Sequence, residues 1–380
     1  MKKKRLFFLR ATVLLVLALV LALDAAFLLT KDRAFSPTEN RSLQQRPTLT
    51  LASALSGRYE TRYDDYISDQ FPFRDGWVAL KSTMDRLAGR TESGGVFLGR
   101  DGSLIQDFAE PSGDSYAQTL AALRSFLTRH GALAQYVMIV PTALTARADA
   151  LPAFAVHGDE SGYLDRLARD LADTPAQWID LRPAFAASDE RLYYRTDHHW
   201  TTDGAYIAYL EFSKAANLSG AATAYERHLL SNAFSGTLTA ASGFRTGQRD
   251  DLYAYLPPDD GVQTVVTYVG ENVRSASLYR AEHLDTRDQY AVFLDGNHPE
   301  IKIETTVDNG RTLLVLKDSY ANCFIPFLTR DYGKIIVVDP RYFTGDLEVL
   351  MAAEGINETL ILYNAATLAA DQALRLDIGD

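Results

Sequence analysis

Five short apolar runs, set between stretches of helical spacing, constrain the fold of this chain more than any other feature. They are Tyr136–Val140, Trp178–Leu181, Thr312–Leu316, Ile335–Val338 and Thr359–Leu362. Runs of four or five residues that are almost wholly apolar leave no continuous polar face for water, so both sides of such a strand must be covered. That is the pattern of a parallel sheet with helices on both faces. The amphipathic stretches Tyr116–Arg129 and Tyr163–Leu171 precede the first two runs and supply two of those helices. A chain of 380 residues with 47% hydrophobic content can bury the core this requires.

The stretch Ser219–Gly310 has a different texture. Gly, Ser and Asp turns separate alternating runs such as Thr264–Tyr268 and Ile301–Thr305, which predicts a β-rich insertion at about 219–310. Nearer the N-terminus, Gly57–Leu87 has helical spacing of Tyr59, Tyr63, Tyr66 and Ile67, then Trp77 and Leu80. Asp69-Gln70-Phe71-Pro72-Phe73-Arg74 breaks it into two helices.

The first ten residues carry Lys2, Lys3, Lys4, Arg5 and Arg10, and Ala11–Leu29 is apolar apart from Thr12 and Asp24. About 20 apolar residues suffice for a helix to cross a bilayer. The basic flank stays cytoplasmic by the positive-inside rule, which places the rest of the chain outside. A cleaved signal peptide shares the basic and apolar regions, but no Ala-x-Ala site follows, so an uncleaved anchor over 1–30 is the expectation. Residues 31–56, polar and containing Pro37 and Pro47, read as a tether.

A net charge of -11 argues against nucleic acid as a partner, since phosphate backbones are bound by clustered cations. One cysteine, Cys323, leaves neither an intramolecular disulfide nor a cysteine-type zinc site, and it reads as a small buried side chain.

Two motifs carry chemistry. In Thr196-Asp197-His198-His199-Trp200-Thr201 an Asp stands two positions before a His, just ahead of a helix that Thr202 or Asp203 is placed to cap. A base for nucleophilic catalysis needs an imidazole held in one tautomer by an acceptor on its other nitrogen, and Asp197 can serve His199 in that way. The same residues suit a divalent metal, and a capped turn around a buried Trp200 is the purely structural reading. The second motif is Lys317-Asp318-Ser319-Tyr320, a turn between the strand Thr312–Leu316 and an apolar, helical stretch Ala321–Thr329. A serine there sits at the carboxyl edge of a parallel sheet, where open α/β folds place their sites, and a helix N-terminus would face a developing oxyanion.

Taken in order, several blocks resemble the bacterial DHHW protein family. They are Glu39-Asn40-Arg41, Asp69–Arg74, Asp197–Trp200, Gly296-Asn297-His298-Pro299, Lys317–Asn322 and Leu362-Tyr363-Asn364. Asp-x-His-Trp with a late Asp-Ser turn is also similar to the SGNH-like acetyltransferases of the alginate O-acetyltransferase family. The resemblance implies an α/β, SGNH-hydrolase-like three-layer fold over 57–380, with a central parallel sheet and the β-rich insertion, behind an N-terminal transmembrane helix. It implies a triad of Asp197 as orienter, His199 as base and Ser319 as nucleophile. His198, Trp200, Gly296, Asn297, Asp318, Asn322, Tyr363 and Asn364 become candidates for substrate or oxyanion contact, although Asp295-Gly296-Asn297 is equally a hairpin turn. In the ordinary SGNH order the serine block comes first; here Asp and His precede it, as in the alginate-type group. Lys317 stands where that block has glycine, which weakens the usual oxyanion contribution.

The expected activity is transfer of an acetyl group, through a Ser319 ester, to hydroxyls of a cell-surface polysaccharide. No cofactor or metal is expected. The acetyl donor implied by the family is a polytopic membrane O-acyltransferase, and the location is the cell membrane with the catalytic domain extracytoplasmic. An acetylesterase with the same triad, a non-catalytic carbohydrate-binding scaffold, and a metallohydrolase on Asp197, His198 and His199 are the alternatives.

Overall fold

The structure, a computed structural model, describes residues 2–36, 41–50 and 58–379. Glu39 and Asn40 of the first block lie outside the described residues, as do 51–57 of the segment read as a tether. The chain divides into two compact units, Met1–Arg90 and Thr91–Asp380.

In the first unit, α1 (Lys2–Leu29) is a continuous helix long and apolar enough to cross a membrane. Two further helices, α2 (Arg58–Gln70) and α3 (Arg74–Leu87), flank the expected break. Pro72 disfavours helical geometry at Phe71, and Phe73 adopts φ +58° to turn the chain into α3. The chain leaving α1 is tied to α2: Arg33 donates its N–H to Gln70 Oε1 and accepts from Gln70 Nε2, both at 2.9 Å. Gln44 N–H donates to Asp69 Oδ2 at 2.8 Å, so part of the segment read as a tether is held to the helical pair.

The second unit is built on eight strands: β1 Ala134–Val140, β2 Gln177–Trp178, β3 Thr264–Tyr268, β4 Val273–Ser275, β5 Glu300–Thr305, β6 Thr312–Lys317, β7 Lys334–Val338 and β8 Glu358–Asn364. Their order across the sheet is β4-β3-β5-β7-β6-β8-β1-β2. From β7 to β2 all pairings are parallel, while β5, β3 and β4 extend the sheet antiparallel. Every residue of β8 is buried, as the apolar runs require. Helices α4 (Ser115–Arg129), α5 (Glu160–Asp170) and α6 (Thr202–Ala216) share one core with these strands through Phe126, Leu164 and Phe212. The β-rich insertion contributes β3, β4 and β5, the antiparallel part of this sheet, and a separate antiparallel pair, Glu226–Phe234 with Asp250–Leu256.

Two local expectations are corrected. The run Trp178–Leu181 forms only the two-residue β2, because Asp180 accepts the Arg182 N–H at 3.0 Å and Pro183 opens a helical turn. The apolar stretch after Ser319 is not an α-helix but two 3-10 turns, Ser319–Cys323 and Ile325–Arg330. Pro326 has no N–H to continue an α-helix through this point. The parallel strands release Asp318 and Ser319 after β6, Asp339 and Arg341 after β7, Thr142 after β1 and Asn364 at the end of β8 along one carboxyl edge.

Candidate active site

The loop carrying Asp197 and His199 runs between Tyr193 and Trp200, which form an isolated bridge, and α6. Thr201, one residue before the expected caps, accepts the Gly204 N–H at 3.2 Å; Asp203 instead pairs with Arg227 at 2.8 Å. The loop stands on Asp250, whose carboxylate accepts from Arg195 N–H at 2.8 Å, Thr196 N–H at 2.9 Å and Thr196 Oγ1 at 2.6 Å.

Asp197 Oδ1 accepts from His199 Nδ1 at 2.5 Å and from the His199 N–H at 3.0 Å. Its Oδ2 accepts from the Thr237 N–H at 2.8 Å and from Thr237 Oγ1 at 3.0 Å. With Nδ1 engaged by a carboxylate, the imidazole presents Nε2 as an acceptor, and Nε2 lies 2.8 Å from Ser319 Oγ. The two motifs, 120 positions apart in the chain, thus form one hydrogen-bonded relay. Tyr290 stacks on the His199 ring at 3.9 Å and 13°, fixing its plane.

Burial alone would raise the Asp197 pKa, but the two histidines and the hydrogen bonds from His199 and Thr237 outweigh it and hold the carboxyl well below its usual range. His198 is pushed down to about 4, by burial first and by the neighbouring His199 second, against the pull of Asp197. Its Nδ1 lies 2.9 Å from Thr237 Oγ1, not on Ser319, so His199 holds the position of a base.

Lys317 has a definite place. Its side chain is wholly buried, 3.3 Å from the equally buried Asp339, and Nζ donates to Asn297 Oδ1 and Asn322 Oδ1, each at 2.9 Å. Burial pulls the Lys317 pKa down while Asp339 opposes this. Arg341 completes the group with two bonds to Asp339, at 2.6 and 2.8 Å. Because both amide oxygens face the ammonium, the Asn297 amide nitrogen is turned away from Lys317. Asn297 itself follows three residues in the left-handed region, Leu294 (φ +58°), Asp295 (+61°) and Gly296 (+84°), in a turn between the 3-10 turn Gln289–Val292 and β5, so it links no hairpin pair of strands. The Gly296 N–H is donated to Phe293 O at 3.1 Å.

Other candidates are packed inside the domain. Trp200, Asp318, Asn322 and Tyr363 are buried. Trp200 Nε1 donates to Tyr320 O at 2.8 Å, binding the Asp-His loop to the serine turn. Asp318 Oδ1 caps the Tyr320 N–H at 2.9 Å, and its Oδ2 accepts from Asn364 N–H at 2.9 Å and Asn364 Nδ2 at 2.6 Å. Asn364 in turn caps the following helix through Thr367 N–H. Cys323 is buried and its thiol pushed up to about 12 by that burial, in keeping with a packing role.

A cavity of about 800 Å³ opens beside the relay, and its lining includes Gln106, His198, Thr237, Tyr320, Arg341 and Asn364. Asp197, His198 and His199 could offer ligand atoms within 4.8 Å of one another to a metal, but both ring nitrogens of His199 are already engaged, one by Asp197 and one by Ser319.

Sequence reasoning did not single out Gly236, Thr237, Asp250, Tyr290 or the Asp339–Arg341 pair. Only the last had a readable signal, since it directly follows the apolar run Ile335–Val338 at the carboxyl edge.

A family model described as an SGNH hydrolase-like domain of the acetyltransferase AlgX matches residues 97–297, just over half of the chain. No curated protein matches the chain. Among solved structures, a DHHW family protein from Eubacterium siraeum DSM 15702 is 24% identical with a TM-score of 0.64, over 75% of this chain and 95% of that one. Bacillus cereus PatB1 with a sulfonyl adduct is 23% identical with a TM-score of 0.61, over 74% and 98%. These likenesses show a shared fold.

Proposed function

The chain belongs to the family of SGNH hydrolase-like acetyltransferase domains of the AlgX type, and on that premise we propose that it moves an acetyl group through Ser319 to hydroxyls of a cell-surface polysaccharide. The observation that carries this reading is the relay Asp197–His199–Ser319 at the carboxyl edge of the parallel sheet.

In the first step His199 Nε2 takes the Ser319 proton as Oγ bonds to the acetyl carbon. The bond from that carbon to the donor oxygen breaks, and the proton passes from His199 to the departing oxygen. In the second step an acceptor hydroxyl gives its proton to His199 and bonds to the acetyl carbon. Ser319 leaves and recovers the proton. Asp197 stabilises the imidazolium in both steps.

The oxyanion donors we assign are the Ser319 N–H, which opens a 3-10 turn and has no partner within it, and the Asn297 amide held by Lys317. A 3-10 turn of five residues carries too small a dipole to do this alone, so the placement of Asn297 takes over part of the role expected of a helix N-terminus. The cavity beside His198 and Arg341 is roomy enough for sugar units.

Helix α1 serves in this reading as a single-pass anchor with the catalytic unit outside the cytoplasm, and a polytopic membrane O-acyltransferase delivers the acetyl group. The test uses full-length protein and a chromogenic acetyl ester. The wild type accumulates an acetyl group on Ser319, seen by mass spectrometry, and passes it to an added oligosaccharide. Equal turnover by Ser319→Ala sinks the assignment; release to water alone, with oligosaccharide present, indicates an esterase.

A further inference from the structure

The face that α3 turns to solvent is apolar. Trp77, Leu80, Met84 and Leu87 fall within about a quarter of the helix circumference, and they are 43%, 46%, 58% and 79% exposed. Phe73, just before the helix, extends the stripe and is 77% exposed. Ser82, a polar residue, is the buried one. This inverts the arrangement of a helix folded onto a water-soluble body, where the apolar stripe faces inward. The Trp77 indole N–H is satisfied by Pro72 O at 3.1 Å, which leaves its ring as an apolar surface.

The same unit shows where this stripe begins. Phe27, in the last turns of α1, meets the Tyr66 ring edge-on at 5.8 Å. Tyr66 Oη donates to Asp32 at 3.1 Å, Gln70 makes two bonds to Arg33, and Asp75 at the start of α3 lies 3.6 Å from Arg33. The turn from which α3 departs is therefore held against the residues that leave α1. If α1 spans a bilayer, Phe27–Leu29 stand at its far boundary, and Phe73 and Trp77 are placed at the same level.

We propose that α3 lies in the interface of that membrane, with Phe73, Trp77, Leu80, Met84 and Leu87 in the boundary between head groups and acyl chains. The lipid surface is the occupant because the stripe is continuous with the exit of the anchor, and because aromatic and long aliphatic side chains are the ones that partition there. The inference rests on the reading of α1 as a retained anchor.

Tryptophan fluorescence tests it in the full chain. Helix α1 contains no tryptophan, and the other two, Trp178 and Trp200, belong to the second unit. Full-length protein is reconstituted into phosphatidylethanolamine and phosphatidylglycerol vesicles, with or without bromine on the upper acyl chain. The wild type is expected to lose emission in brominated vesicles, Trp77→Phe to lack that loss, and Leu80→Asp with Met84→Asp, which retains the reporter, to reduce it. Protein that resists an alkaline carbonate wash yet shows no bromine-dependent loss overturns the inference while leaving the anchor standing. Protein released by the wash overturns the anchor reading, and the interfacial helix with it. Bromine-insensitive emission together with a dimer that the double substitution abolishes gives the stripe to a second copy of the chain and likewise overturns the proposal.

Discussion

Gly236 approaches Asp197 so closely that a β-carbon there would lie 2.1 Å from the Asp197 Cβ and 2.3 Å from Oδ2. Its backbone is extended, so glycine is needed for the approach and not for the dihedral. Gly236→Ala must displace either Asp197 or the Thr237 N–H that holds it. The expected outcome is a fall in kcat of about 100-fold, the scale of a 1 Å misplacement in a catalytic group. Thr237→Val keeps that N–H and should cost only about tenfold, or about 1.4 kcal/mol, as one lost hydrogen bond does. Steady-state hydrolysis of an acetyl ester measures both.

His198 gives the fold an acid-sensitive contact. Its folded pKa of about 4 lies below the usual 6.5, so between those values the unfolded chain binds more protons and stability falls as pH drops. The loss is at most about 3 kcal/mol and is complete near pH 4. Asp197, held low, acts in a lower window: its contribution is present above about 3.9 and is lost as pH falls further. Urea midpoints at pH 7.5 and 4.5 should differ for the wild type and converge for His198→Gln, with acid unfolding below pH 4 retained.

Lys317→Met leaves Asp339 buried with Arg341 as its remaining cation and deprives Asn297 and Asn322 of their shared donor. Breaking a buried pair in this way costs about 3 kcal/mol. Adding Asp339→Asn should recover much of the stability but not kcat, because the Asn297 amide then keeps only the bond from Asn322 Nδ2, at 3.2 Å, in place of the ammonium. Recovery of both would mean that Lys317 acts only on the fold.

The Tyr290 ring and hydroxyl can be separated. Its Oη reaches Cys323 Sγ at 3.3 Å, away from the relay, and Ser319 O at 3.3 Å, long for a hydrogen bond to oxygen, while the ring alone stacks on His199. Tyr290→Phe is expected to retain kcat within about threefold. Tyr290→Leu, which frees the imidazole to tilt, should lower it by about 10- to 100-fold.

Those residues also mark what the sequence could and could not disclose. Asp197 and His199 were legible because two positions within one turn suffice for a carboxylate to reach an imidazole, and Ser319 because an apolar strand ends just before it. The parallel core was legible because apolar runs such as Leu313–Leu316 and Ile335–Val338 admit few other placements, whereas Asp180 breaks the run Trp178–Leu181. Gly236, Thr237 and Tyr290 reach the site from the inserted segment by contacts with no local periodicity to announce them. Lys317 reads in the sequence as a lost glycine, since Asp339 and Asn297, which surround its ammonium together with the nearby Asn322, lie about 20 positions away on either side. The 3-10 turns are not legible in the sequence because apolar spacing fits an α-helix equally well, and only Pro326 marks the interruption.

Asp318 accepts from Tyr320 on one oxygen and from both nitrogens of Asn364 on the other, which fastens the serine turn to β8, a strand buried along its whole length. Segments of that kind open only when the entire domain opens, so their amides exchange with solvent by way of global unfolding. Ser319 is thereby coupled to the last cooperative block to melt. Heat inactivation and loss of tertiary structure should trace one superimposable transition, with no cooler range in which a folded but inert enzyme accumulates.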